Sequence, residues 1–172
     1  MATLPLPPAA HQTCGFSSAL VVSDQGVGAV RIGASVRAVR AECQVVSDRT
    51  ELGAEAIPGR VLRVRIGRSL VEAEIDNGRV WRLSFDDPRL RTSDGLAAGV
   101  PLARLLDLPG LAGAEGEGSL FATTPTHCGM SFQLNYEPTD QEHRGTWTSA
   151  QLAALPSKVA VTRVLIFGCS AR

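Results

Sequence analysis

Residues 60–86 read RVLRVRIGRSLVEAEIDNGRVWRLSFD, and this stretch decides the fold. Its first part alternates, with Leu62, Val64 and Ile66 on one face and Arg63 and Arg65 on the other. Its second part does the same, with Val71, Ala73 and Ile75 against Glu72 and Glu74. A period of two puts alternate side chains on opposite faces of a sheet, so each part is a half-buried strand. A tight turn at Arg68-Ser69 sets Arg65 opposite Glu72 and Arg63 opposite Glu74. It also sets Ile66 opposite Val71, Val64 opposite Ala73 and Leu62 opposite Ile75. Both faces then agree, which favours this register.

The next turn, Asp76-Asn77-Gly78, has two readings. A two-residue Asn-Gly turn puts Trp81, Leu83 and Phe85 on the charged face. A three-residue loop with Gly78 in the left-handed region puts them on the apolar face. The second reading keeps one face dry and is preferred. It predicts a three-strand meander with Trp81 in the core and an Arg65–Glu72–Arg82 charge ladder on the other face.

Outward from the meander the signals are shorter. Residues 1–20 are proline-rich and read as a mobile arm, with a possible edge strand over 19–22. Residues 27–32 suit a strand that Gly33 ends. Ser35 then caps a short helix carrying Val36, Val39 and Cys43 on one face. Residues 44–59 read as loop. After the meander, Pro101 starts a helix with Leu102, Leu105 and Leu106 inward. Residues 110–118 read as a flexible loop. Strands are expected near 119–125, 129–136 and 159–167, with a loop over 137–147 and a helix capped by Thr148 or Ser149. The predicted class is α+β, an antiparallel sheet with two or three short helices on one face. Residues 21–172 form a single domain.

Composition narrows the function. The 172 residues carry 17 basic and 17 acidic side chains, so no net field draws in nucleic acid or anionic lipid. No apolar run reaches the roughly 18 residues of a membrane-spanning helix. There is no Walker loop, G-x-G-x-x-G after a strand, G-x-S-x-G or H-E-x-x-H, and no cofactor is expected. Cysteines stand at 14, 43, 128 and 169 without C-x-x-C or metal-finger spacing, so no metal site is expected. Scattered, even-numbered cysteines suit disulfides in an exported protein or buried thiols in a cytosolic one.

Chemistry-bearing residues are few. His127-Cys128 in TPTHCG is the raw material of a thiol nucleophile. Neighbours on an extended chain point apart, so His143 or His11 would have to supply the base. The rival reading is a disulfide. Cys128 precedes strand 129–136 and Cys169 follows strand 159–167; antiparallel neighbours would bring the two within bridging range. Cys14–Cys43 is then the remaining pair. Asp86, Asp87 and Asp94 flank a loop and could do acid–base work or hold a cation, or could simply build turns. Arg65, Glu72 and Arg82, with Arg63 and Glu74 beside them, form either a recognition face or a solvated ladder. Trp147 is either a helix staple or an exposed anchor.

Two segments echo one another: IGASVRAV at 32–39 and AGVPLARL at 98–105. Each has a Gly, then a helix-starting Ser or Pro, then apolar residues three apart, and each leads on to strands. This suggests a duplicated helix-then-strands unit. The same pattern, with GRVWRLSFDDPRLRTSDGLAAGVPLARLL at 78–106, resembles small bacterial envelope domains of the beta-lactamase-inhibitor-protein-like group, including small outer-membrane assembly lipoproteins. The resemblance covers about residues 27–107. It implies an α+β repeat fold, a location in the envelope and no catalytic residues. No lipobox precedes Cys14, and residues beyond 110 fall outside it.

Taken together, the sequence predicts a non-catalytic domain, periplasmic or secreted, that binds a protein or small ligand. An exposed aromatic patch is expected near Trp147 or Tyr136. The alternative is a cofactor-free hydrolase of ester-type substrates around His127, Cys128 and His143.

Overall fold

The computed structural model describes residues 14, 21–52, 57–139 and 145–169. Three short strands open it, β1 (Val21–Ser23), β2 (Gly26–Val27) and β3 (Val30–Arg31), then helix α1 (Val36–Glu42). A meander of long strands follows: β4 (Gln44–Leu52), β5 (Pro58–Ile66), β6 (Ser69–Asp76) and β7 (Arg79–Phe85). Strand β8 (Arg91–Thr92) runs parallel to β1 and completes a small sheet in the order β3-β2-β1-β8. Helix α2 (Leu102–Leu106) leads into a second meander of β9 (Ala112–Gly116), β10 (Ser119–Thr123) and β11 (Met130–Leu134). Then come β12 (Thr146–Thr148), helix α3 (Ser149–Ala153) and β13 (Val161–Ile166).

The large sheet has nine strands in the order β12-β9-β10-β11-β13-β7-β6-β5-β4, antiparallel throughout. β13 pairs with β11 as the last strand of the second meander, and the two meanders meet where β13 pairs with β7 through Phe85–Val164, Ser84–Leu165 and Leu83–Ile166. One face is dry. Leu62, Val64, Ile66, Val71, Ala73, Leu83, Phe132, Leu134 and Ile166 lie on it, each 2% exposed or less. Val39 of α1, Leu102 and Leu105 of α2 and Leu152 of α3 join the same core. A buried leucine of this kind contributes about 1.5–3 kcal/mol. The class is therefore antiparallel sheet with three short α-helices among the described residues, as expected. Residues 44–52 and 112–116 are strands rather than loop. In both, few apolar side chains show on the strand, so alternation gave no signal.

The central hairpins correct the predicted register. The first turn is Gly67-Arg68, with Gly67 at φ +59°, not Arg68-Ser69. Val64 thus pairs with Val71, Leu62 with Ala73 and Arg63 with Glu72. The slip is two residues, so every side chain keeps its face. The second turn is the two-residue Asn77-Gly78, both at positive φ, as a type I′ hairpin requires. That parity alone would put Leu83 and Phe85 outside. A β-bulge restores them: Ile75 pairs with Val80, Glu74 pairs with Arg82, and Trp81 between them has no partner. Val80 takes the inward place (1% exposed), and Trp81 stands on the charged face, 43% exposed. Trp81 is therefore not a core residue.

The two helix starts are built alike. The Gly33 amide donates to Val80, and the Val80 amide donates back to Ala34. The Gly99 amide donates to Val161, and the Val161 amide donates back to Val100. Val36 reaches Gly78 as Leu102 reaches Val159. Gly33 and Gly99 both sit at φ +84°, a conformation that costs glycine nothing. Each helix start thus straps the beginning of the last strand of its own meander.

At the free edge of the first meander, Asp48 on β4 accepts from Arg60 on β5 (2.8 and 2.9 Å) and Arg40 on α1 (2.5 Å). The Arg60 hydrogen bonds, with the Arg40 one, outweigh burial and hold its pKa at about 2, below the ordinary 3.8. A carboxylate with a depressed folded pKa stabilises above its unfolded value and loses that effect as pH falls through the folded one. Stability is expected to drop between about pH 4 and about pH 2 in part through this group. Asp48→Asn should flatten the drop in urea midpoints measured across that window.

Candidate functional site

The outer face of the large sheet carries no helix among the described residues, and it curls. Arg82, on β7, is bonded at 2.7 Å to Glu117 in the β9–β10 turn. Three strand spacings separate β7 from β10, about 14 Å in a flat sheet. A side-chain bridge over that span draws the two meanders together above the face. The result is a trough of about 710 Å3, lined by Glu51, Leu52, Ile57, Glu72, Glu74 and Trp81 among others.

Arg82 lies where the trough adjoins a second basin. Its guanidinium lies 5.0 Å from the Trp81 ring centroid and 6.0 Å from that of Phe167. Glu74 and Glu117 hold it from either side, at 2.6 and 2.7 Å. Burial opposes its charge, but these two carboxylates outweigh burial and raise its pKa. Arg63 bridges Glu72 (3.0 Å) and Glu51 (3.2 Å), and Arg163 approaches Glu72 at 3.7 Å. Beyond Arg82 the trough passes into an apolar basin of about 230 Å3 under Phe121, Leu165 and Phe167. Ala114 and Gly116 lie in its wall, where they add little bulk.

The expected charge ladder is therefore present with different rungs. Arg82 pairs with Glu74 rather than Glu72, and Arg65 lies opposite Leu70 with no ion pair among the described residues. Trp147 is not an exposed anchor: it is 5% exposed, its indole N–H donates to Glu115 at 3.2 Å, and Tyr136 packs edge-on against it at 6.1 Å. The exposed aromatic pair is Trp81 with Phe167 instead, 6.3 Å apart. Sequence reasoning missed Phe167 and Glu117. The Glu117-Gly118 dipeptide between two short alternating runs was the available signal for the hairpin that carries Glu117.

The second cluster surrounds His127. Its Nε2 donates to Asp94 at 3.0 Å, and its Nδ1 lies 3.4 Å from Asp24 in the β1–β2 turn. Thr92 donates to the other Asp94 oxygen at 2.5 Å. Burial raises the Asp94 pKa, but Thr92 and His127 together carry it below the ordinary range. The ring of Phe132 meets His127 edge-on. One oxygen of Asp24 is buried without a hydrogen bond. The imidazole thus joins the β1–β2 turn to the loop after β8, with Nε2 hydrogen-bonded to Asp94 and Nδ1 facing the unbonded Asp24 oxygen.

Cys128 is bonded to Cys169, and Cys14 to Cys43, with Cα separations of 5.2 and 4.4 Å. Cys128 therefore offers no thiolate. The other oxygen of Asp24 lies 3.6 and 3.8 Å from the two sulfurs, but sulfurs bonded to each other are not metal ligands. Asp87 serves its turn: Arg89 grips it through Nε (2.9 Å) and the backbone amide (2.9 Å), and these bonds hold its carboxyl well below the usual range. Asp86 is exposed and apart from this grip. His143 lies outside the described residues. No helix among the described residues is long and apolar enough to cross a membrane.

This arrangement has a structural relative. The chain is similar to the crystal structure of the uncharacterised protein YfeY from Escherichia coli, with a TM-score of 0.60 and 17% identity. The match covers 86% of this chain and 99% of that one, and at this identity it shows a shared fold. No protein-family model and no curated protein matches the chain.

Proposed function

We propose that this chain is a non-catalytic protein-binding domain of the bacterial cell envelope, periplasmic or secreted, and that the outer trough is its binding surface. The observation that carries this reading is Trp81. A bulge turns a tryptophan out of the core onto a sheet face, where Arg82 and Phe167 frame it. Exposed tryptophan and arginine are the residue types that most often dominate protein interfaces. A lining rich in paired charges favours a protein over a small molecule, whose sites are mostly apolar. Two disulfides support an oxidising compartment. The same proposal takes the two helix-then-meander units as copies of one unit.

A photo-crosslinking residue tests this when placed at Trp81, with Arg37 on the exposed side of α1 as control. A discrete adduct from position 81 alone, lost on adding Arg82→Glu, is expected. Equal labelling at both positions would overturn the reading, as would ester hydrolysis abolished by His127→Ala and untouched by Trp81→Ala. Trp81→Ala itself should lower stability by about 1–2 kcal/mol in urea unfolding, because the ring is 43% exposed and loses its contacts with Arg82 and Phe167.

A further inference from the structure

The trough has a charge imbalance that its ion pairs do not remove. Five carboxylates line it, those of Glu51, Glu72, Glu74, Asp76 and Glu117. The guanidiniums in or beside it are four, those of Arg60, Arg63, Arg82 and Arg163, and Asp48, which holds Arg60, also holds Arg40. Arg63 and Arg82 each bridge two glutamates. Among the described residues Asp76 has the Asn77 amide and no guanidinium partner. The surplus is one negative charge, and it lies beside exposed apolar surface: Leu52 at 72%, Ile57 at 63% and Trp81 at 43% exposure.

Resting on the binding reading above, we infer that the trough receives an arginine or lysine of a partner protein segment, with a neighbouring apolar side chain of that segment seated in the basin. Charge complementarity selects the basic head, which gains the unmatched Asp76 carboxylate. The exposed face of Trp81 attracts a cation electrostatically, and Ile57 and Leu52 offer packing to its aliphatic stem. The apolar anchor follows from continuity. Arg82 and Glu117 line both trough and basin, so a segment crossing them reaches Phe121 and Leu165 with the adjoining residue. An acidic segment would meet the same surplus as repulsion.

The experiment measures binding of the full chain to fluorescent hexapeptide pools, each with leucine or phenylalanine next to a position fixed as basic, neutral or acidic. Basic pools should bind at least about tenfold more tightly than acidic ones, and that preference should shrink about tenfold between about 50 and about 500 mM salt. Glu74→Gln with Glu117→Gln should remove the preference. Asp76→Asn, exposed and outside the ion pairs, should weaken it without disturbing the fold. Trp81→Ala should lower affinity for every pool. Acidic or neutral pools binding as well as basic ones, or a preference indifferent to Asp76→Asn, would overturn the inference. If no pool binds while position 81 still cross-links, the basic-segment inference falls and the binding surface stands. If neither occurs, both fall.

Discussion

Phe132→Ala is expected to destabilise the protein by about 3–5 kcal/mol, the usual cost of removing a fully buried ring. Phe132 is 0% exposed and is the largest fully buried side chain among the described residues. It sits in the middle of β11, paired with Ala122 on β10 and Val164 on β13. Its ring also meets the edge of His127. The cavity would therefore open both under the centre of the sheet and beside the imidazole that joins the β1–β2 turn to the loop after β8. Urea unfolding at neutral pH measures the loss. A change below about 1 kcal/mol would mean that the surrounding strands collapse into the space, contrary to close packing around a fully buried ring.

Replacing Cys128 and Cys169 together by alanine is expected to cost about 3–4 kcal/mol in the chain-entropy model, since the bond closes a loop of 41 residues. The bond joins the approach to β11 with the end of β13, two strands already paired from Met130–Ile166 to Leu134–Val161. Native geometry needs little adjustment when it is absent, so the effect should appear as stability rather than as a changed fold. Far-ultraviolet dichroism should stay near that of the parent while the urea midpoint falls. A midpoint unchanged within error would sink the argument.

The dry face of the first meander was legible in sequence because alternation is insensitive to a slip of two residues. The turn types were not. The expected Arg68-Ser69 turn differs from the observed Gly67-Arg68 turn by a slip of two residues, and both set Arg63 against a glutamate. The bulge at Trp81 was hidden for a sharper reason. A two-residue turn and a dry face conflict by one residue, and the chain resolves the conflict inside the strand rather than in the loop. Sequence logic moved the correction to the loop, and so placed the tryptophan inside. Strands 44–52 and 112–116 escaped because they lie towards the edges of the sheet and bury almost no side chain, so they carry no apolar alternation. The Cys128–Cys169 bond was legible because it followed from strand ends, whereas the trough was not, since it depends on curvature that brings Glu117 to Arg82.

The join between β7 and β13 rests on three residue pairs, against seven between β5 and β6. Arg82–Glu117 and Arg163–Glu72 span that join from above, on the floor of the trough. In the binding reading proposed above, recognition and internal cohesion draw on the same side chains. A guest that takes Glu72 or Glu117 from its arginine loosens the join unless it supplies an equivalent contact of its own. Occupancy and unfolding are then thermodynamically coupled through the middle of the sheet, and a fitting guest acts as a stitch as well as a ligand.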